Sequence, residues 1–363
     1  MRIVIAPDSF KSTASSSTAG EYLREGARQA LTELGIEAEV EVFPMADGGE
    51  GTSEIFGGQR IILPTTDAVG RLTEATYTYD PATTTAYIDV AAASGLPQVA
   101  DALAPLTADT YGTGVLIADA QTRGATRIVL CLGGSATTDG GTGILVALGA
   151  HAVDKAGLPL RPGGAALASI DTIDTAQLNI PAAALEWVLL TDVTNPATGE
   201  NGSAAVFGPQ KGATPEQVEA LDRGIAALCE ALGVDPTTPG MGAAGAIPVG
   251  ITWLSTVLHG TPEHVHILPG APVVADSTGL TQALEGADLL ITGEGAFDSQ
   301  SLQGKVVGTL LGMAGQTPVT IVAGRSDSPA PQGAEVLVLK ESTSVREQLV
   351  DAGRRAILHR YGS

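Results

Sequence analysis

Two periods of apolar residues alternate along this chain. Residues 2–6, Arg-Ile-Val-Ile-Ala, are a short apolar run that reads as a buried strand. Tyr22, Leu23, Ala27, Ala30, Leu31 and Leu34 then recur on one helical face. Thr18 and Glu21 have capping-box spacing at its start, and Gly35 closes it. Glu39 to Phe43 make the next strand, so the N-terminus predicts a βαβ unit with a right-handed crossover and a parallel sheet. The texture changes after Pro64: Thr73–Tyr79 and Thr85–Val90 alternate with period two around Asp80-Pro81-Ala82-Thr83, which predicts an antiparallel hairpin. A helix over Thr110–Ala120 leads into an apolar strand over 128–132, and Trp187–Leu190 form another strand. Thr214-Pro215-Glu216-Gln217 starts a helix that continues through Val218, Leu221, Ile225, Leu228 and Leu232 and stops at Gly233. From Ala287 the early texture returns, with short buried-type strands over 288–292, 318–323 and 334–339.

This order predicts an α/β protein of two domains. A Rossmann-like parallel-sheet domain is built from both chain ends, residues 1–63 plus 273–363. Between them is an inserted α/β domain, 64–272, with some antiparallel strand. The length of 363 residues agrees, being more than one core usually serves. A site in the cleft between the domains is the expectation.

Composition narrows the partners. Aromatics are 4% of the chain and glycines number 46, so the core is one of Ala, Val, Leu and Ile packed closely on strands. The net charge of −21 repels nucleic acid and anionic membranes alike. No apolar run reaches the roughly 20 residues that span a bilayer, and the first residues enter a strand directly, so a cytoplasmic protein is expected. Cys131 and Cys229 read as small core residues rather than a disulfide framework. The same charge means that an anionic substrate needs local lysine, arginine or metal to overcome it.

Candidate chemistry lies in the loops. The strand at 128–132 runs into Gly133-Gly134-Ser135-Ala136-Thr137-Thr138-Asp139-Gly140-Gly141-Thr142-Gly143, and Ile144, Leu145, Ala147 and Leu148 resume a helical pattern. Strand, glycine-rich turn and helix start point bare N–H groups at an anion, usually phosphate; the alternative is a tight connection in which glycine serves backbone geometry alone. Four more loops carry charges: Asp8-Ser9-Phe10-Lys11; Ala46 to Thr52 with Asp47 and Glu50; Thr191 to Pro196 with Asp192 and Asn195, followed by Phe207 to Ala213 with Lys211; and Thr292 to Asp298 with Glu294, ending in Gly304-Lys305. Phosphoryl transfer requires that inventory: lysines for phosphate oxygens, carboxylates for Mg²⁺ and for the attacking hydroxyl, backbone donors for developing charge. The P-loop, dinucleotide-binding and protein-kinase signatures are all missing. His264-Val265-His266 reads as a strand edge or surface turn before it reads as a metal site.

Taken together, Ala6 to Lys11, Pro44 to Thr52, Asp109 to Gly114, Leu132 to Gly143, Thr191 to Pro196, Phe207 to Ala213, and Ile291 to Gly295 with Asp298 and Lys305 resemble the bacterial type I glycerate kinase family. The resemblance implies ATP-dependent phosphorylation of D-glycerate to 2-phosphoglycerate with Mg²⁺, by a monomer or homodimer. Asp47, Asp192, Lys211 and Lys11 are then the expected catalytic residues. Ser9, Glu50, Gly133, Gly134, Ser135, Thr137, Thr138, Asn195 and Lys305 are expected to bind substrate or phosphate, and Asp139, Asp192, Glu294 and Asp298 to hold metal. Departures from the family pattern are Ser12 where glycine or glutamate is usual, Ala296 where arginine is common, Gln303 where histidine is common, and a shorter segment after Ala323. The competing readings are a kinase for another small hydroxy acid or polyol, and a non-catalytic protein that binds a phosphorylated metabolite.

Overall fold

The computed structural model describes residues 1–10, 13–302, 304–342 and 344–362. The chain divides into two compact units, Met1–Asp47 with Pro269–Ser363, and Gly48–Leu268. Each carries its own sheet.

In the first unit the strands Ala334–Val338, Val319–Ser326, Leu289–Phe297, Arg2–Pro7 and Glu39–Val42 stand side by side in that order, all parallel. Ile3, Ile5, Leu289, Ile291 and Val322 are buried in the sheet, and Leu23, Ala27, Leu349 and Ala356 cover it from the helices Ser16–Leu34 and Val345–Tyr361. The first helix begins a turn earlier than its sequence suggests. Ser15 is the N-cap, with extended φ and ψ and a side chain that accepts the Thr18 amide, so Thr18 lies inside the first turn rather than capping it. Gly35 ends the helix in the left-handed region, as read.

The second unit holds a six-stranded sheet ordered Val265–Leu268, Glu186–Leu190, Arg127–Cys131, Thr85–Asp89, Leu72–Asp80, Gln59–Thr66. The first four are mutually parallel, and the last three form an antiparallel meander that contains the expected hairpin. The strand Gln59–Thr66 is an addition. It pairs over its whole length with Leu72–Asp80 and, as an edge strand, tolerates Pro64. That pairing takes residues 48–63 into the second unit, so the crossings fall at 47/48 and 268/269 where the sequence suggested 63/64 and 272/273. Trp187, Tyr77, Ile88, Ile128 and Leu130 fill the core of this sheet, against the helices Tyr111–Thr122, Thr142–Ala147 and Ala243–His259. Helix Pro215–Leu232 has the predicted ends: a Thr214–Gln217 capping box, Pro215 in the first turn, and a left-handed Gly233. His264 and His266 both face Glu186, at 3.8 and 3.1 Å, on the edge strand and its approach. Among the described residues no helix is long and apolar enough to cross a membrane.

Candidate active site

Open α/β sheets present ligands to the carboxyl ends of their strands. In the second unit, Asp89, Cys131 and Leu190 are in register at the ends of three adjacent parallel strands, so the loops that follow leave from one edge. The Gly133 amide donates to the Gly48 carbonyl at 3.1 Å. A Cβ on Gly133 would stand 2.5 Å from the Gly49 Cα, so the two glycine-rich loops fit together only with a bare backbone there. Leu96 N donates to Gly134 O and Ala136 N to Ser94 O, holding residues 134–136 on another side. Glu50 is exposed, with its Cβ 3.9 Å from the position a Gly134 Cβ would take.

Lys211 supplies the cation that the 133–143 loop lacks in sequence. It ends the short turn Pro209–Lys211, is 2% exposed, and donates from Nζ to Ser135 Oγ at 3.0 Å and to the Thr137 carbonyl at 2.5 Å. Burial disfavours its charged form and lowers its pKa to about 7, opposed by the Asp139 charge. The Thr137 and Thr138 hydroxyls are buried and have no hydrogen-bond partner among the described residues.

Asp139, expected as a metal ligand, is filled by donors from the protein itself. It is fully buried, and its carboxylate accepts Thr110 N at 2.9 Å, Thr110 Oγ1 at 2.8 Å, Gly143 N at 2.9 Å and Gly141 N at 3.2 Å. With four donors on two oxygens it fastens the loop to the start of helix Tyr111–Thr122. Burial raises its pKa against those hydrogen bonds. The neighbouring Asp109 is raised to about 6, by burial and then by the Asp139 charge. Asn195 donates from Nδ2 to the Asn201 carbonyl at 2.8 Å, closing its own loop. Asp192 follows the strand Glu186–Leu190 and is half-buried.

A second cluster belongs to the first unit, where the strand order reverses between Arg2–Pro7 and Leu289–Phe297. Asp8 N donates to Gly293 O at 2.8 Å, and the Asp8 carboxylate accepts Ser9 N at 2.6 Å. Glu294 is 8% exposed, and its Oε1 has no hydrogen-bond partner among the described residues. Burial raises its pKa; the Ser301 hydrogen bond and the Lys305 charge oppose this, while Asp298 and Asp47 add to it. Asp298 also accepts the Gln300 and Ser301 amides, at 2.8 and 3.3 Å. Lys305 is the N-cap residue of helix Val306–Met313. Asp298, Asp47 and Lys305 are thus within electrostatic reach of Glu294, although no three His, Cys, Asp or Glu side chains among the described residues form a metal-holding group by themselves. Lys11, Ser12 and Gln303 lie outside the described residues. Asp109 and Thr110 lie in one of the stretches that carry the resemblance but were given no role, and Asp89 was not singled out; its only signal in the sequence was a carboxylate at the end of an otherwise apolar segment.

A sequence model described as the glycerate kinase family matches residues 3–353. Glycerate kinase of Bacillus subtilis is 35% identical over 364 residues, covering 97% of this chain and 89% of its own. Glycerate 2-kinase of Escherichia coli is 37% identical over 318 residues, covering 84% and 80%. Among solved structures, a Salmonella typhimurium protein provisionally described as glycerate kinase 2 superposes with a TM-score of 0.82 at 34% identity, covering 99% of this chain and 98% of the other.

Proposed function

This chain belongs to the glycerate kinase family, and from that premise we propose that it transfers the γ-phosphoryl group of ATP to the 2-hydroxyl of D-glycerate, giving 2-phosphoglycerate and ADP. The observation that carries this reading furthest is the buried Lys211 ammonium lodged in the glycine-rich loop, on Ser135 Oγ and the Thr137 carbonyl. A lysine poised between its two protonation states, beside a glycine-rich backbone and two threonine hydroxyls without partners among the described residues, is a receptor for phosphate charge.

Phosphoryl transfer depends mostly on positioning and on stabilising charge spread over the transferring oxygens. In this reading Lys211 and the donors between Gly134 and Thr138 that the Gly48 and Ser94 contacts leave open take phosphate oxygens, and an arriving dianion draws the proton back onto Nζ. Asp47 or Asp192 orients the glycerate hydroxyl; a loose transition state asks little more of a base. Ser9, Lys11 and Lys305 bind glycerate or phosphate. Glu294 Oε1, without a hydrogen-bond partner among the described residues and with Asp298 nearby, suits a Mg²⁺ ion that keeps most of its ligands as water and phosphate. When bound, Mg²⁺ would neutralise the phosphate oxygens.

A coupled ADP-release assay with D-glycerate, ATP and Mg²⁺, with ³¹P NMR of the product, tests the proposal. ADP release that needs all three, and a phosphomonoester on the 2-oxygen, is the expected result. A product phosphorylated on the 3-oxygen overturns the regiochemistry, and ADP release indifferent to glycerate overturns the substrate.

A further inference from the structure

The 48–54 loop is fastened at one buried carboxylate. Asp89 ends the strand Thr85–Asp89 and is 6% exposed. It accepts Gly51 N at 3.0 Å, Ser53 N at 2.9 Å and Ser53 Oγ at 2.9 Å, and the Cys131 thiol adds a further hydrogen bond. Burying a carboxylate is costly unless donors fill its lone pairs, and here most of those donors come from a single three-residue stretch. The Ser53 carbonyl is held in turn by the Thr78 hydroxyl at 2.8 Å. Upstream in the same loop, Gly48 and Gly49 meet Gly133 with no room for a side chain between them.

We propose that Asp89 is a positioning residue for phosphoryl transfer: its carboxylate fixes the 48–54 loop and, through the Gly48–Gly133 contact, sets the backbone donors of the glycine-rich loop and Glu50, whose Cβ lies beside Gly134. This rests on the reading of the chain as a glycerate-phosphorylating enzyme with phosphate at that loop. Asp89 touches no substrate. It acts because its loop and the phosphate loop share one contact, and displacements of about 1 Å at such a contact cost a reaction on the order of a hundredfold.

Asp89→Asn keeps the shape but turns an amide donor toward the N–H and O–H donors of Gly51 and Ser53, whereas Ser53→Ala removes only the hydroxyl bond. Amide exchange at Gly51 and Ser53, measured without substrates, is expected to quicken at least tenfold in Asp89→Asn while exchange in the strand Arg127–Cys131 stays as in the wild type. In the glycerate assay kcat is expected to fall about a hundredfold in Asp89→Asn and several-fold in Ser53→Ala, with KM for ATP changing less, and Asp89→Glu is expected to recover part of the loss. Faster exchange with wild-type kcat leaves Asp89 a purely structural residue and overturns the proposal. So does unchanged exchange. If Asp89→Asn does not fold, Ser53→Ala decides by the same two readouts. A wild-type enzyme inactive on glycerate is the separate failure of the functional reading, registered by the activity assay; the exchange experiment uses no substrate and does not depend on it.

Discussion

Lys211 Nζ lies 3.0 Å from Ser135 Oγ although 76 residues separate them in the chain. The glycine-rich loop therefore gets its cation from a turn that follows a different strand, and the buried amine is held by the loop it serves. Lys211→Ala is expected to lower kcat/KM by at least a hundredfold, about 3 kcal/mol of transition-state stabilisation. Steady-state kinetics with glycerate and ATP check it, and a near-normal rate would take Lys211 out of the chemistry.

The same residue makes activity depend on pH. With a pKa lowered to about 7, the free enzyme loses the Lys211 proton near neutrality. If the charged form receives phosphate, kcat/KM falls as pH rises through about 7, and the residual activity of Lys211→Ala lacks that limb. A pH profile of both proteins decides this.

Stability carries the opposite signature. The folded pKa of Lys211 is about 7 and the ordinary value is 10.5, so between those limits the unfolded chain binds a proton that the folded chain does not. Stability contributed by this group then rises with pH across that window and is flat below it. In urea titrations the stability of wild type minus that of Lys211→Met is expected to be constant below pH 7 and to increase toward pH 10. A difference that stays level throughout would mean that the folded amine keeps its charge.

How far the chain could be read before its structure was known depended on whether the interactions were local. Thr214, Pro215 and Gly233 marked their helix correctly because caps are set within four or five residues. The hairpin around Asp80 was legible for the same reason. Ser15 was passed over because the following serines and Thr18 present the same hydroxyls, and only the backbone angles select among them. The strand Gln59–Thr66 hid behind Pro64, since nothing local says that it will lie at an edge. Within the site, sequence could name the loops but not the use of each carboxylate. Asp139 meets Thr110 across 29 residues and Asp89 meets Ser53 across 36, so whether either faces a ligand or the protein is decided by tertiary contacts.

Asp139→Asn tests whether that carboxylate fastens the loop or holds metal. Exchanging one oxygen for an amide leaves buried N–H and O–H groups facing another donor, which is expected to cost about 3 kcal/mol or more of stability. Denaturant midpoints measure it. In whatever variant remains folded at low temperature, the Mg²⁺ concentration for half-maximal activity is expected to be that of the wild type. A large shift in that concentration with little loss of stability would mark Asp139 as a metal ligand.

Residues 244–246 form a left-handed turn that supports the same loop at a cost. Ala244, Gly245 and Ala246 have φ of 49°, 75° and 66°. The Gly245 carbonyl accepts the Gly140 amide at 2.9 Å, and a Cβ on Gly245 would stand 2.0 Å from the Thr137 carbonyl oxygen, the oxygen that accepts Lys211 Nζ. For alanine this region costs about 1–2 kcal/mol. Replacing Ala244, which is half-buried, by glycine relieves that strain and gives back about 0.4–1 kcal/mol through the freer unfolded chain, leaving a net gain of about 0.5–1 kcal/mol. At the fully buried Ala246 the lost methyl costs about 0.8 kcal/mol more, so Ala246→Gly is expected to be close to neutral. Gly245→Ala should be the damaging change, pushing the Thr137 carbonyl off Lys211 and lowering both stability and kcat. Chemical denaturation of the three variants checks the order; a destabilised Ala244→Gly would show that the turn is not strained.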